Sequence, residues 1–98
     1  MTVADELTDN KFAARLRVDG VFDEIAYAGL RRGLADLASE WAGQDKVDKE
    51  VAGWLIFTLL VILGAKERIS RNGAADLDHR LSLALGDLYE DVESCFRR

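Results

Sequence analysis

The stretch VAGWLIFTLLVILGA, residues 51–65, is the longest part of this 98-residue chain without a charged side chain. As an α-helix it would rise about 22 Å, whereas the hydrocarbon core of a bilayer is about 30 Å thick. Charged residues at positions 48–50 and 66–68 border it directly. Each would cost about 2.5 to 3.5 kcal/mol in lipid. We therefore expect residues 51–65 to be the centre of a helix in a small helical domain rather than a membrane span.

Placed on a helical wheel, the segment from about residue 45 to residue 71 has two apolar faces. One face continues past the charged borders and is expected to pack on the other helices of the chain; it comprises Val47, Val51, Trp54, Leu55, Thr58, Val61, Ile62, Ala65 and Ile69. The opposite face is apolar only in the middle of the segment and comprises Gly53, Ile56, Phe57, Leu60, Leu63 and Gly64. Lys49 before this second face and Glu67 after it mark its two ends.

No proline occurs in the chain, and three glycines mark the expected ends of helices: Gly20, Gly43 and Gly73. Glycine is favoured just past a helix because it adopts the left-handed conformation at little steric cost. Between these glycines, apolar residues recur at steps of three and four, which indicates helices. The segments predicted to be helical are 8–18, 21–41, 45–71 and 75–96.

This order of helices determines the predicted fold. The first segment is short, has Thr8 or Asp9 as a candidate N-cap, and is expected to cover one end of the domain. The other segments are long and joined by short connections, which favour antiparallel neighbours. The sequence therefore predicts an all-α fold: a small antiparallel helical bundle of three long helices plus a short N-terminal helix, in a single domain over residues 1–98.

The second apolar face of the third helix leaves two alternatives. Soluble monomers rarely expose a contiguous patch of this kind, so either the other helices wrap the third helix completely or the face is an interface. Two other long helices and one short helix are few for complete wrapping. Self-complementary patches in twofold dimers are the commonest route to oligomers, so the sequence favours a homodimer formed through this face.

The second helix carries two glycines on its apolar side. The predicted apolar stripe comprises Phe22, Ile25, Ala26, Gly29, Leu30, Gly33, Leu34, Leu37 and Trp41. A glycine inside a helix costs about 1 kcal/mol relative to alanine, so Gly29 and Gly33 are expected where another helix comes close. We expect that neighbour to be the third or fourth helix of the same chain.

Charge and cysteine content restrict the function classes. The formal net charge of −5 opposes direct binding to nucleic acid and to an anionic membrane surface. The single cysteine, Cys95, cannot form an internal disulfide, and no signal peptide opens the chain. These features predict a cytoplasmic protein.

The last helical segment is the acidic one. Residues 74–98 contain six acidic and three basic side chains, and three of the acidic residues share a helix face: Asp87, Glu90 and Asp91. Such a face could dock on a basic groove. The alternative function is therefore a small acidic inhibitor, of the phage anti-defence or immunity type, that blocks a basic site on a nucleic-acid-handling protein.

The sequence lacks a group of residues typical of catalysis or cofactor binding. His79 is the only histidine, and with Asp76 one turn earlier it makes a weak metal pair. Cys95 has no neighbouring histidine that would activate a thiolate, so it is interpreted as a small core residue. We therefore expect no catalytic, metal or cofactor-binding residues, and a non-enzymatic interaction or regulatory module whose partner the sequence does not identify.

Overall fold

The computed structural model describes residues 2–97, and this part of the chain is all-helical, as predicted, with no strand. The described residues form five helices: α1 (Val3–Thr8), α2 (Phe12–Asp19), α3 (Glu24–Trp41), α4 (Lys49–Arg71) and α5 (Ala75–Cys95). The three long helices α3, α4 and α5 correspond to the predicted ones. Two short helices take the place of the single predicted N-terminal helix.

The predicted helix over residues 8–18 is present in part as α2, over Phe12–Asp19, but the prediction of Thr8 or Asp9 as its N-cap is wrong. Thr8 is the last residue of α1, and Asp9 follows it. α1 begins at a capping box, in which Asp5 N donates to Thr2 Oγ1 over 3.1 Å and Thr2 N donates to Asp5 Oδ2 over 3.2 Å. These two bonds satisfy backbone donors at the helix start and allow six residues to form a separate helix.

The turn between α1 and α2 depends on one side chain. Asn10 Oδ1 accepts a hydrogen bond from Phe12 N over 2.9 Å, at the start of α2. Asn10 Nδ2 donates to Ala26 O in α3 over 2.8 Å. Asn10 therefore fixes the angle between the two short helices and ties their turn to α3.

The long helices begin and end at residues suited to those positions. Asp23 accepts from Ala26 N at the start of α3, and Asp48 accepts from Glu50 N and Val51 N at the start of α4. The backbone φ is positive, between 66° and 80°, at the three glycines predicted to end helices: Gly20, Gly43 and Gly73. The helix ends of the sequence prediction are therefore confirmed more closely than the helix starts.

α5 lies between α3 and α4 and packs on both, whereas α3 and α4 make no close backbone contact with each other in the described chain. The short connections therefore make close backbone neighbours of α4 and α5 but not of α3 and α4, although side chains of α3 and α4 line one small cavity. α1 packs mainly on α3 and α2 mainly on α4, and neither makes a close backbone contact with α5 among residues 2–97. The two short helices thus fill the side of the domain away from α5.

The N-terminal helices supply part of the hydrophobic core rather than a cover for one end. Leu7 of α1 and Phe12 and Leu16 of α2 are completely buried. They join core residues of the long helices, which include Leu30, Leu34, Leu37, Leu55, Ile62, Leu81 and Leu88. The core is therefore built from all five helices of the described chain.

The expected close contact at Gly33 is present, but its partner is α1 rather than the third or fourth predicted helix. A Cβ atom on Gly33 would lie 2.7 Å from Leu7 Cδ2 and 3.2 Å from Leu7 Cγ. Gly29 is less crowded, since a Cβ there would lie 3.6 Å from Asn10 Nδ2. Ile25 is 87% exposed, contrary to its place in the predicted stripe, because it lies about 140° around the helix from Leu30.

Candidate protein interface on α4

The inner face of α4 packs on the rest of the chain, as its continuous apolar stripe predicts. Its buried residues are Val51, Leu55, Thr58, Ile62, Ala65 and Ile69. Val47, just before the helix, and Trp54 and Val61 within it are half-buried. α2 and α5 are the main helices that cover this face. The inner face therefore fixes the orientation of α4 about its own axis and sets which residues point away from the core.

The outer face of α4 is uncovered along its middle. We call Gly53, Ile56, Phe57, Leu60, Leu63 and Gly64 the α4 patch. Its large side chains are 56% exposed at Ile56, 61% at Phe57, 61% at Leu60 and 43% at Leu63. Gly53 and Gly64 are exposed as well. Among residues 2–97, no helix wraps this side, so the alternative of a third helix buried all round within one chain is wrong.

A groove between α4 and α5 extends the patch sideways. The α4/α5 groove has a volume of about 520 Å³ and an almost wholly apolar lining: Ile56, Leu59, Leu60, Leu63, Leu85, Gly86 and Tyr89. Three of these residues, Leu85, Gly86 and Tyr89, belong to α5 and were missed by sequence reasoning. Leu85 and Tyr89 are one helical turn apart, which signals a shared face, but the sequence does not show that this face borders α4.

An ion pair joins α4 to α5. Lys66 Nζ lies 3.0 Å from Asp78 Oδ1, and both side chains are at most about a third exposed. Lys66 is in the second half of α4 and Asp78 is at the start of α5. Ile56, in the first half of α4, and Tyr89, in the second half of α5, both line the α4/α5 groove.

Phe57 lies at the opposite edge of the α4 patch from the α4/α5 groove. It borders a second groove, of about 240 Å³, between α2 and α4. This α2/α4 groove is partly polar, because Lys11, just before α2, and Arg17 of α2 contribute to its lining together with Ala13 and Val61. The α4 patch therefore has one apolar flank, toward α5, and one flank with cationic side chains, toward α2.

Charged residues close the α4 patch at both ends. Within residues 2–97, the side chains of Lys49 and Glu67 form no ion pair. Other cations of α4 are engaged inside the chain: Lys66 with Asp78, and Arg68, whose guanidinium donates to Arg17 O over 2.6 Å. Lys49 and Glu67 are both exposed and are therefore available to a binding partner.

The predicted acidic face on α5 is partly neutralised by α3. Arg31 Nε donates to Asp91 Oδ2 over 2.8 Å, and a second Arg31 nitrogen lies 3.8 Å from Asp87 Oδ2. The hydrogen bond to Asp91 raises the pKa of Arg31 above its usual value. Glu90 is exposed, and among the described residues it is the only member of the face without such a contact. The three carboxylates therefore present less charge to a partner than the sequence indicates.

The other residues considered for chemistry have ordinary environments. Cys95 is buried, its Sγ lies 3.5 Å from Leu34 O, and burial raises the pKa of its thiol. This confirms Cys95 as a core residue. His79 is exposed. Within residues 2–97 there is no group of three or more histidine, cysteine, aspartate or glutamate side chains that could hold a metal ion.

Comparisons with known proteins do not assign the chain to a family. The chain matches no protein-family model, no curated protein and no solved structure with which it was compared. In the part of the chain that the structure describes, no helix has the length and apolar character needed to cross a bilayer. The function must therefore be argued from the surface itself.

Proposed function

We propose that the chain is a cytoplasmic, non-enzymatic protein–protein interaction or regulatory module, a bundle whose consecutive long helices run antiparallel and which acts as a homodimer through the α4 patch. One observation carries the proposal: Ile56, Phe57 and Leu60 are each more than half exposed in the middle of the longest helix. Exposed apolar clusters of this kind in soluble proteins mark interaction sites.

The glycines of the patch support a helix as the partner. A Cβ atom added to Gly53 or Gly64 would meet nothing within 4 Å, so the chain itself does not need glycine at either position. Each glycine costs about 1 kcal/mol of helix stability relative to alanine. Small residues on an exposed apolar face allow the backbone of a second helix to come close, which offsets that cost in a dimer.

The test is the oligomeric state of a charge-insertion variant. We expect Leu60→Glu to keep the far-ultraviolet circular dichroism of the helical fold while halving the mass measured by light scattering. The matched control is Leu83→Glu, because Leu83 of α5 is 60% exposed but lies outside the patch. This control should remain dimeric. A wild-type protein that is monomeric at high micromolar concentration would refute the proposal.

The acidic inhibitor is the second candidate, and the contacts of Arg31 with Asp87 and Asp91 reduce the charge on which it rests. An electrostatic complex with a basic protein should weaken as salt rises, because ions screen exposed charges. If a partner is retained at low salt and lost on Glu90→Lys, with the α4 patch intact, the inhibitor is favoured over the homodimer module.

A further inference from the structure

The two charged residues at the ends of the α4 patch, which form no ion pair within residues 2–97, have opposite signs and symmetric positions. Lys49 lies nine residues before Thr58, and Glu67 lies nine residues after it. The patch is centred at the same place, since it extends from Gly53 to Gly64. A helix face with a central apolar region and opposite charges at its two ends is complementary to a second copy of itself in the reverse direction.

We propose that two copies of the chain pack with their α4 helices antiparallel, about a twofold axis that crosses the outer face of α4 at the height of Thr58, on the opposite side of the helix from the buried Thr58 side chain, with Lys49 of each copy paired to the partner's Glu67. This inference rests on the proposed homodimer and adds its orientation. The axis also brings Ile56 of one copy to the same height as the partner's Leu60, so the apolar residues of the patch contact one another across the axis. Both end charges are then satisfied by the same rotation.

A parallel arrangement would place like charges together. Lys49 would lie beside the partner's Lys49, and Glu67 beside the partner's Glu67. Like charges across an interface oppose association, whereas opposite charges steer and orient it. Since both side chains lack an ion pair within residues 2–97, neither repulsion would be relieved inside the chain.

The flanks of the patch favour the same orientation. In an antiparallel pair, the α4/α5 groove of one copy lies on the same side as the α4/α5 groove of the other, so two apolar surfaces that include Leu60 and Tyr89 face each other. In a parallel pair, the apolar groove would face the partner's α2/α4 groove, which contains Lys11 and Arg17. The antiparallel pair therefore buries apolar side chains together and leaves Lys11 and Arg17 on a separate flank.

Charge reversal tests the pairing in the full-length protein. We expect Lys49→Glu and Glu67→Lys each to raise the dimer dissociation constant about tenfold at low salt, since each creates a like-charge contact at both ends of the interface. The double variant Lys49→Glu/Glu67→Lys should recover wild-type affinity, because it exchanges the two signs. In a parallel dimer the single variants would exchange one like-charge pair for another and leave the affinity unchanged, which would overturn the orientation.

Disulfide trapping gives a second measurement that does not depend on charge. Residues 49 and 67 are about 27 Å apart along α4, far beyond the reach of a disulfide. An equimolar mixture of Lys49→Cys and Glu67→Cys chains should form a disulfide-linked dimer under mild oxidation, and neither variant alone should do so. The buried native Cys95 serves as the internal control, since it should stay reduced.

The outcomes separate this inference from the proposed function. Efficient trapping of Lys49→Cys alone, in a protein whose wild type is dimeric, would overturn the antiparallel orientation and leave the homodimer in place. A wild-type protein that is monomeric at high micromolar concentration would overturn both. Trapping of the mixture alone, together with recovery of affinity in the double charge variant, would establish the orientation.

Discussion

The two faces of α4 have similar residues, but one face is buried and the other is exposed. Leu55 and Ile62 are completely buried, whereas Ile56 and Leu60, within two positions of them in sequence, are more than half exposed. Hydrophobicity does not distinguish the buried pair, Leu55 and Ile62, from the exposed pair, Ile56 and Leu60. The difference is that α2 and α5 cover one face, whereas α5 only borders the other and leaves Ile56 and Leu60 more than half exposed. The exposure of a patch as apolar as the core is the basis of the proposed interface.

Thiol reactivity should show the largest difference between the two faces. Cys95 is buried and burial raises the pKa of its thiol, so near neutral pH it has little thiolate and little access to reagent. A cysteine introduced by Leu60→Cys should react with a disulfide reagent about a thousandfold faster in dilute native protein, because Cys95 reacts only after large-scale opening. The two rates would be followed by the absorbance of the released thiolate. Equal rates would mean that the core around Cys95 opens readily.

Truncation of a leucine should show the next largest difference between the two faces, measured as a change in the free energy of unfolding. We expect Leu55→Ala to lower the free energy of unfolding by about 2 to 5 kcal/mol at any protein concentration, since it leaves a cavity in the core. Leu60→Ala should change it by less than about 0.5 kcal/mol in dilute protein, where the outer face meets water. Urea unfolding at two protein concentrations separates the cases. A large loss for Leu60→Ala that does not depend on concentration would show that the outer face is buried within one chain.

Two glycines should give the smallest effects, with opposite signs. Gly33→Ala should lower the urea midpoint, because the new methyl group meets the buried Leu7. Overpacking of this kind costs about 1 to 3 kcal/mol, which exceeds the gain in helix propensity of up to about 1 kcal/mol. Gly53→Ala should raise the urea midpoint of dilute protein, since the surroundings of Gly53 are open. The gain in helix propensity should add up to about 1 kcal/mol to the free energy of unfolding. A raised midpoint for Gly33→Ala would mean that Leu7 moves aside easily.

The sequence was sufficient for the orientation of α4 about its axis. The inner stripe continues past the charged ends, from Val47 to Ile69, whereas the outer patch stops between Lys49 and Glu67. This difference in length predicts which face meets the core, because a helix packs on its neighbours over its whole length. The exposure of the patch could not be predicted from the sequence, since the number and placement of the helices that could cover it are not local properties.

The neighbours of each helix were not predictable from local patterns. α1 has a single fully buried residue, Leu7, so its apolar periodicity is too weak to identify it as the partner of Gly33. The contact of Arg31 with Asp91 joins positions 60 residues apart and depends on how α5 lies against α3. Pairwise packing of this kind is decided by the whole core, and for that reason the contribution of Tyr89 to the groove was also missed.

The position of α5 between α3 and α4 has a consequence for synthesis on the ribosome. When residues up to the end of α4 have been made, α1 and α2 are already available to cover one side of α3 and α4, but the backbones of these two long helices make no close contact with each other within residues 2–97. Until α5 emerges, the side of α4 that includes Leu59 faces water together with the α4 patch. The nascent chain is therefore most exposed to aggregation just before its last helix is translated.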